Sequence, residues 1–274
     1  MSNISQKQTT YLFVDGSHFR QYFNETTQKW FGQVVEFDFR KIKEFFNAEK
    51  AFYYDCIDDI KNDSETDEEF EARVNSQEEK LNKIREVEGC HVYLGSLRRA
   101  KKQKNRGQKE VDVMLAVHMM EHAFRGNVSK TVLLSGDLDF RPLVESLVRF
   151  GLFVEVSADL KHFSTELIHS ADAHKKLSID EYFRLTPNHI QSLKPIEFPT
   201  RTFFRERAEK ENFWLHKEGT CGDFEVYIYI GNQHRGHWLT TSNDLPHPQT
   251  AWVNNNLDHL ILYFELKYGP INWK

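Results

Sequence analysis

Five short runs rich in apolar and β-branched residues recur along the first part of the chain: Tyr11–Val14, Ala51–Tyr54, His91–Leu94, Thr131–Leu134 and Phe153–Val156. Each is too short for a stable helix, and the first ends at once in Asp15-Gly16, so they read as buried strands emptying into turns. Helical spacing fills the gaps. Phe37 to Phe46 places apolar residues at 37, 39, 42, 45 and 46, and Val111–Phe124 aligns Val111, Leu115, Met119 and His122 on one face. Phe140–Phe150 and Phe163–His169 are further helices. A long solvated helix starts near Asp67, with a sparse stripe through Phe70, Val74, Leu81, Ile84 and Val87. Strands separated by helices predict an α/β fold, a mainly parallel sheet with helices on both faces.

The pattern changes after Leu185. Pro187, Pro195 and Pro199 punctuate a connecting stretch, Phe224–Ile230 alternates like a half-exposed strand, and Asn256–Tyr268 carries a helical stripe through Leu257, Leu260, Ile261 and Phe264. The expectation is a first domain over residues 9–185 and a small C-terminal mixed α+β appendage over 186–274, of unknown type. The appendage holds Trp214, Trp238, Trp252 and Trp273, which suit either its own core or a binding surface.

Charge has to be resolved along the chain. The 274 residues carry 36 Lys and Arg against 41 Asp and Glu, a net −5, which excludes a binder of nucleic acid or membrane over its whole surface. That total hides a cancellation. Residues 55–88 hold thirteen acids and five bases, while Arg98, Arg99, Lys101, Lys102, Lys104, Arg106 and Lys109 fall within twelve positions. No apolar run approaches the ~18 residues of a membrane span. The polar segment Met1–Thr10 lacks the apolar stretch of a signal peptide. Cys56, Cys90 and Cys221 are isolated thiols with no paired spacing. A cytoplasmic setting with no membrane partner is expected.

Four carboxylates fall where strands end. Asp15 follows the first run, Asp112 opens the helix after the basic segment, and Asp137 and Asp139 lie in Ser135-Gly-Asp-Leu-Asp-Phe140 after the fourth run. In a parallel sheet such positions converge on one crevice. Gathered acids repel one another unless cations are bound, and hard oxygen donors point to Mg²⁺ or Mn²⁺. The bland alternative is that an Asp after a strand simply caps the next helix, Asp139 above all. The basic segment is placed either to grip phosphates beside Asp112 or to remain solvated. Phe19, Tyr22 and Phe23 offer rings for base stacking, or else belong to the core.

Three segments together carry a family resemblance: Tyr11-Leu-Phe-Val-Asp-Gly-Ser17, Lys109-Glu-Val-Asp-Val-Met-Leu-Ala-Val117 and Val132-Leu-Leu-Ser-Gly-Asp-Leu-Asp-Phe-Arg-Pro-Leu-Val144. In this order they resemble the NYN domain, in the LabA-like branch of the PIN-like metal-dependent nucleases. Gly151–Val156 and Ala171-Asp172 extend the resemblance, which covers roughly residues 9–185. It implies a Mg²⁺- or Mn²⁺-dependent ribonuclease whose catalytic and metal-binding acids are Asp15, Asp112, Asp137 and Asp139. It also implies RNA, single-stranded or structured, as partner, with DNA second, and hydrolysis that leaves a 5′-phosphate and a 3′-hydroxyl. Ser17 and the seven cations would contact substrate, Lys109 foremost, since the family commonly has a lysine shortly before the second acid.

Two histidines depart from the family. His18 stands where Asn is usual, and His118 where relatives carry an Asp six residues after the Asp112 position, about 120° away around the helix. Both are candidate auxiliaries in proton transfer. Their presence also motivates a second reading, a catalytically weak nucleic-acid-binding or regulatory protein on the same fold. His118-Met-Met-Glu-His122 spells an inverted zinc-peptidase signature, a third and remote reading. A symmetric homodimer is the default expectation for such a chain.

Overall fold

A computed structural model of the chain describes residues 9–95, 106–192, 198–204, 212–231, 236–242 and 250–274; for 106–109 it describes the backbone alone. The described residues divide into two compact units, the first formed by residues up to 24, 36–177 and 184–187, the second by 25–35, 178–183 and the remainder.

The first unit is built on a six-stranded parallel sheet of β1 (Thr10–Asp15), β2 (Lys50–Cys56), β3 (Cys90–Gly95), β4 (Lys130–Leu134), β5 (Phe153–Asp159) and β6 (Ala173–Leu177). The order across it is β3-β2-β1-β4-β5-β6, every pairing parallel, which makes β1 and β4 the central pair. Strand alternation sorts the core. Tyr11, Phe13, Phe52, Tyr54, Leu133, Val154 and Val156 face one side, where α4 (Arg106–Phe124) brings Val111, Leu115 and Met119, and α5 (Arg141–Arg149) brings Val144 and Leu147. On the other side Tyr53 meets the rings of Phe37 and Phe39, and Phe37 in turn meets Phe19 and Phe23. Those two rings belong to α1 (Gly16–Phe31), and Phe39 opens α2 (Phe39–Phe45). Burying each such ring is worth about 2–3 kcal/mol, so these layers supply most of the drive to fold.

All five expected strands are present, along with helices over the expected segments. The acidic stretch is α3 (Asp67–Arg85), started by a reciprocal cap in which Thr66 Oγ1 accepts from Glu69 N and Glu69 accepts from Thr66 N. That box offsets helix-start strain by about 1 kcal/mol. Two elements are additions: the sixteen-residue α1 and the edge strand β6, whose Ala-His-Lys-Lys-Leu sequence is too polar to read as a run. A short α6 (Thr165–Ser170) follows β5.

The second unit has α7 (Ile179–Arg184, of which 179–183 count here), α8 (Asn188–Ser192) and a six-stranded antiparallel sheet. Its strands β7 (Thr200–Phe203), β8 (Phe213–Cys221), β9 (Phe224–Gly231), β10 (His237–Thr241), β11 (Thr250–Asn254) and β12 (Asn272–Trp273) run in the order β12-β8-β9-β10-β11-β7. A last helix, α9 (Leu257–Tyr268), buries Leu260, Tyr263, Phe264 and Leu266 with Val226, Ile228, Leu239 and Trp252 of the sheet. Trp30 and Ile179 belong to the same cluster, and Asp180 accepts from Tyr263 Oη at 2.9 Å. Among the described residues no helix is long and apolar enough to cross a membrane.

Candidate active site

Because the sheet is parallel, the carboxyl ends of β1, β2, β4 and β5 lie along one edge. Asp15 ends β1 and is only 4% exposed. Its hydrogen-bond donors among the described residues are Ser17 Oγ at 3.2 Å and His18 N at 3.1 Å on Oδ1, and Ser135 Oγ at 3.0 Å on Oδ2, and the His18 ring lies in its field. Ser135 Oγ in turn accepts from Asp137 N at 3.2 Å, so the turn after β4 is tied to the acid at the end of β1. Burial pushes the Asp15 carboxyl up; its backbone and hydroxyl donors only partly offset this.

Asp137 is half-buried. Its Oδ1 accepts from Asp139 N at 3.0 Å, which makes Asp137 the cap of the 3₁₀ turn Leu138–Phe140, while Asp139 is exposed. The cap expected at Asp139 is thus found two residues earlier, at Asp137. The residue before the turn's first amide is the one whose side chain reaches back. Asp112 sits half-buried on the first part of α4. Burial, then the charges of Asp15, Asp137 and Asp139, push its carboxyl up to about 7. All four candidate acids therefore share one electrostatic field.

They do not form a closed cage. Among the described residues no three His, Cys, Asp or Glu side chains stand close enough together to clasp one ion. Donor chemistry fits a small divalent cation: hard oxygens on Asp15, Asp112, Asp137 and Asp139, in a place where negative charge is under strain. Mg²⁺ keeps several waters and needs only one or two direct carboxylates, so an open set suffices.

His18 lies beside these acids. Its Nε2 accepts from Gly136 N at 2.9 Å, which places the ring proton on Nδ1, and burial lowers its pKa despite the pull of Asp15. Gly136 must be glycine: an added Cβ would lie 2.1 Å from His162 O and 3.0 Å from His18 Nε2. His118 lies elsewhere, with Nδ1 at 3.0 Å from Tyr54 Oη and its ring edge-on to Tyr93. His122 packs with Tyr11, Phe13 and Phe52, and its Nδ1 faces Asn127 Oδ1 at 3.3 Å. The peptidase reading is left without a third zinc ligand among the described residues.

Of the expected substrate contacts, Arg98, Arg99, Lys101, Lys102 and Lys104 lie outside the described residues, as do the side chains of Arg106 and Lys109. Phe19 and Phe23 are buried core rings, whereas Tyr22 is half-buried and stacks on exposed His162 with centroids 3.8 Å apart. The same sheet edge holds two acids that sequence reasoning passed over. Asp55, next to last in β2, and Asp159, last in β5, are both buried; Asp55 directly follows the apolar run Ala51–Tyr54, as Asp15 follows its own, while Asp159 comes three residues after Val156. Asp55 is paired bidentately with Arg20 and accepts from Tyr53 Oη at 3.0 Å. Asp159 Oδ1 accepts from Lys161 N at 2.8 Å.

A central parallel sheet with acids along one edge defines a class, and comparison with known proteins gives it a family. The model of the NYN domain matches residues 9–178, so the chain belongs to the NYN domain family and, with it, to the PIN-like nuclease superfamily. Nucleases of this superfamily generally depend on divalent metals, and NYN domains generally bind nucleic acid. A crystal structure of a protein of unknown function from Vibrio parahaemolyticus RIMD 2210633 is similar at TM-score 0.50 and 22% identity, covering 66% of this chain and 98% of that one. It supports the fold. No curated protein matches the chain.

Proposed function

We propose that the chain is a divalent-metal-dependent ribonuclease of the LabA-like branch, and that Asp15, Asp112, Asp137 and Asp139 form its centre. The observation that carries this reading is the shared field: the Asp112 carboxyl is raised to about 7 by burial and by the three other acids. A site that collects negative charge at a strand edge is stabilised by a cation, and the donors are the hard oxygens that Mg²⁺ and Mn²⁺ take. A bound divalent cation there would supply Lewis-acid charge for the phosphodiester and ready a water for in-line attack.

The chain's own residues do the positioning. Ser17, Ser135 and His18 N hold both oxygens of Asp15 in place, and the Ser135 link fixes Asp137 relative to it. His18 braces the Gly136 turn; its Nε2 is engaged, so its part is positional. Hydrolysis without a covalent protein intermediate leaves a 5′-phosphate and a 3′-hydroxyl. The test uses end-labelled RNA with the full chain and Mn²⁺ or Mg²⁺, with and without chelator. Cleavage that needs the metal and disappears in Asp15→Asn and Asp137→Asn protein is expected. Cleavage that survives in both variants, or proceeds in chelator, overturns the reading.

A further inference from the structure

A cavity of about 500 Å³ opens beside Asp137, between α1, the turn after β4 and the loop after β5. Tyr22 and His162 form a near-parallel ring stack in its lining, interplanar angle 19°, with the His18 ring edge-on to Tyr22 at 4.7 Å. Leu138, 42% exposed, and Phe163 add apolar surface, and Lys161 adds a cation. We infer that this cavity is the seat of one nucleotide of the substrate strand, its base on the exposed His162 ring that Tyr22 backs and its phosphate side toward Lys161.

Three features argue that the cavity is built rather than incidental. The loop is pinned at its start, where Asp159 takes the amide of Lys161 through Oδ1 and that of His162 through its carbonyl at 3.1 Å. The opposing turn is pinned by Gly136 N on His18 Nε2. The two walls approach so closely at Gly136 that no side chain fits between them. Rings held in register before the ligand arrives bind a base with little ordering cost. Every nucleobase offers a π-face, and stacking on an aromatic side chain is the commonest sequence-tolerant contact to single strands. A pocket of this volume holds one nucleotide with room for water. The lining also joins the acid centre through Asp137, so a base seated here flanks a phosphate at the acids.

The choice of ligand rests on the nuclease reading, and the test separates the two. Saturation-transfer NMR with nucleoside 5′-monophosphates, run on the full chain in chelator, reads base contact without catalysis. Base protons should be saturated by the native protein. Affinity should fall about tenfold or more in Tyr22→Ala and in His162→Ala, and return in Tyr22→Phe, which keeps the ring. Because His162 is exposed, its variant tests the pocket even where Tyr22→Ala fails to fold. No base contact at millimolar nucleotide, or equal affinity in the folded variants, overturns the inference. RNA cleavage with Mn²⁺ is measured on the same samples. Ring-dependent binding without cleavage leaves the pocket standing and sinks the nuclease; cleavage without ring-dependent binding does the reverse.

Discussion

Asp15 and Asp55 end neighbouring strands, one residue out of register, and are 4% and 2% exposed. Their surroundings differ in one respect. Asp55 is given a full positive charge, the guanidinium of Arg20, together with the hydroxyl of Tyr53. Among the described residues Asp15 is given hydroxyls and an amide as donors, with the His18 ring nearby, and it acts with Asp137 and Asp139 on Asp112. The first carboxylate is neutralised by the fold and holds β2 to α1. The second has, among the described residues, no arginine or lysine paired with it, only the neighbouring His18 ring, which is the arrangement the proposed cation site calls for. Burial and strand position are alike for the two acids; what separates them among the described residues is the guanidinium paired with Asp55.

The contrast is sharpest in a pair of substitutions. Asp15→Asn should lower RNA cleavage by about 10²–10³-fold or more while leaving the fold intact, because only neutral donors are disturbed; circular dichroism and end-labelled RNA measure both. Asp55→Ala should do the opposite. It takes the carboxylate from Arg20 and leaves buried Tyr53 only Gly16 O, at 3.4 Å, to donate to, and should cost about 2 kcal/mol in urea unfolding once the partial exposure of Arg20 is discounted, with the specific activity of folded molecules largely kept. Activity lost with stability unchanged in Asp55→Ala would dissolve the distinction.

A smaller effect concerns pH. Asp112 must shed a proton to take a cation, and its carboxyl titrates near 7. Mn²⁺ affinity, read by calorimetry, should therefore weaken by up to about tenfold per pH unit as pH falls below 7, and level off above it. Affinity flat between pH 5.5 and 8 would show that Asp112 is not part of the cation's environment. The least effect is on the metal-free protein. A carboxyl raised in the folded state contributes stability below its unfolded value of 3.8 that is lost as pH rises through about 7. Asp112→Asn should accordingly raise the metal-free melting temperature slightly at pH 8, and by less at pH 5. The trade of stability for function is typical of site acids.

Much of this was legible in the residues. Short apolar runs ending at Asp, Gly or Ser located every strand of the parallel sheet except β6, whose His174, Lys175 and Lys176 disguise an edge position. The positions of Asp15 and Asp137 at strand ends were legible for the same reason, and that of Asp112 near the start of a helix; the sequence alone left open whether each is a cap or a site acid. Missed was α1, whose buried Phe19, Phe23, Thr27 and Trp30 sit at helical spacing but among polar residues that dilute the stripe. Also missed were Asp55 and Asp159. Their signal was present, but the partners that settle their roles, Arg20 and the Lys161 loop, are distant in sequence or belong to a turn. His162 was silent for a like reason: only the close approach at Gly136 sets its ring on Tyr22.

The helix that carries His18 and Tyr22 has a further consequence. Residues 25–35 and 178–183 are grouped with the second unit, and Trp30, 1% exposed, lies in the apolar cluster that includes Leu260 and Phe264. The covalent order of the chain and the order of its packing thus disagree. A chain severed after Leu185 would keep every acid of the candidate centre, yet Trp30 and Ile179 would lose the cluster that shelters them. Such a fragment should be sticky and poorly soluble, so the residues that carry the four acids are best produced in the full chain.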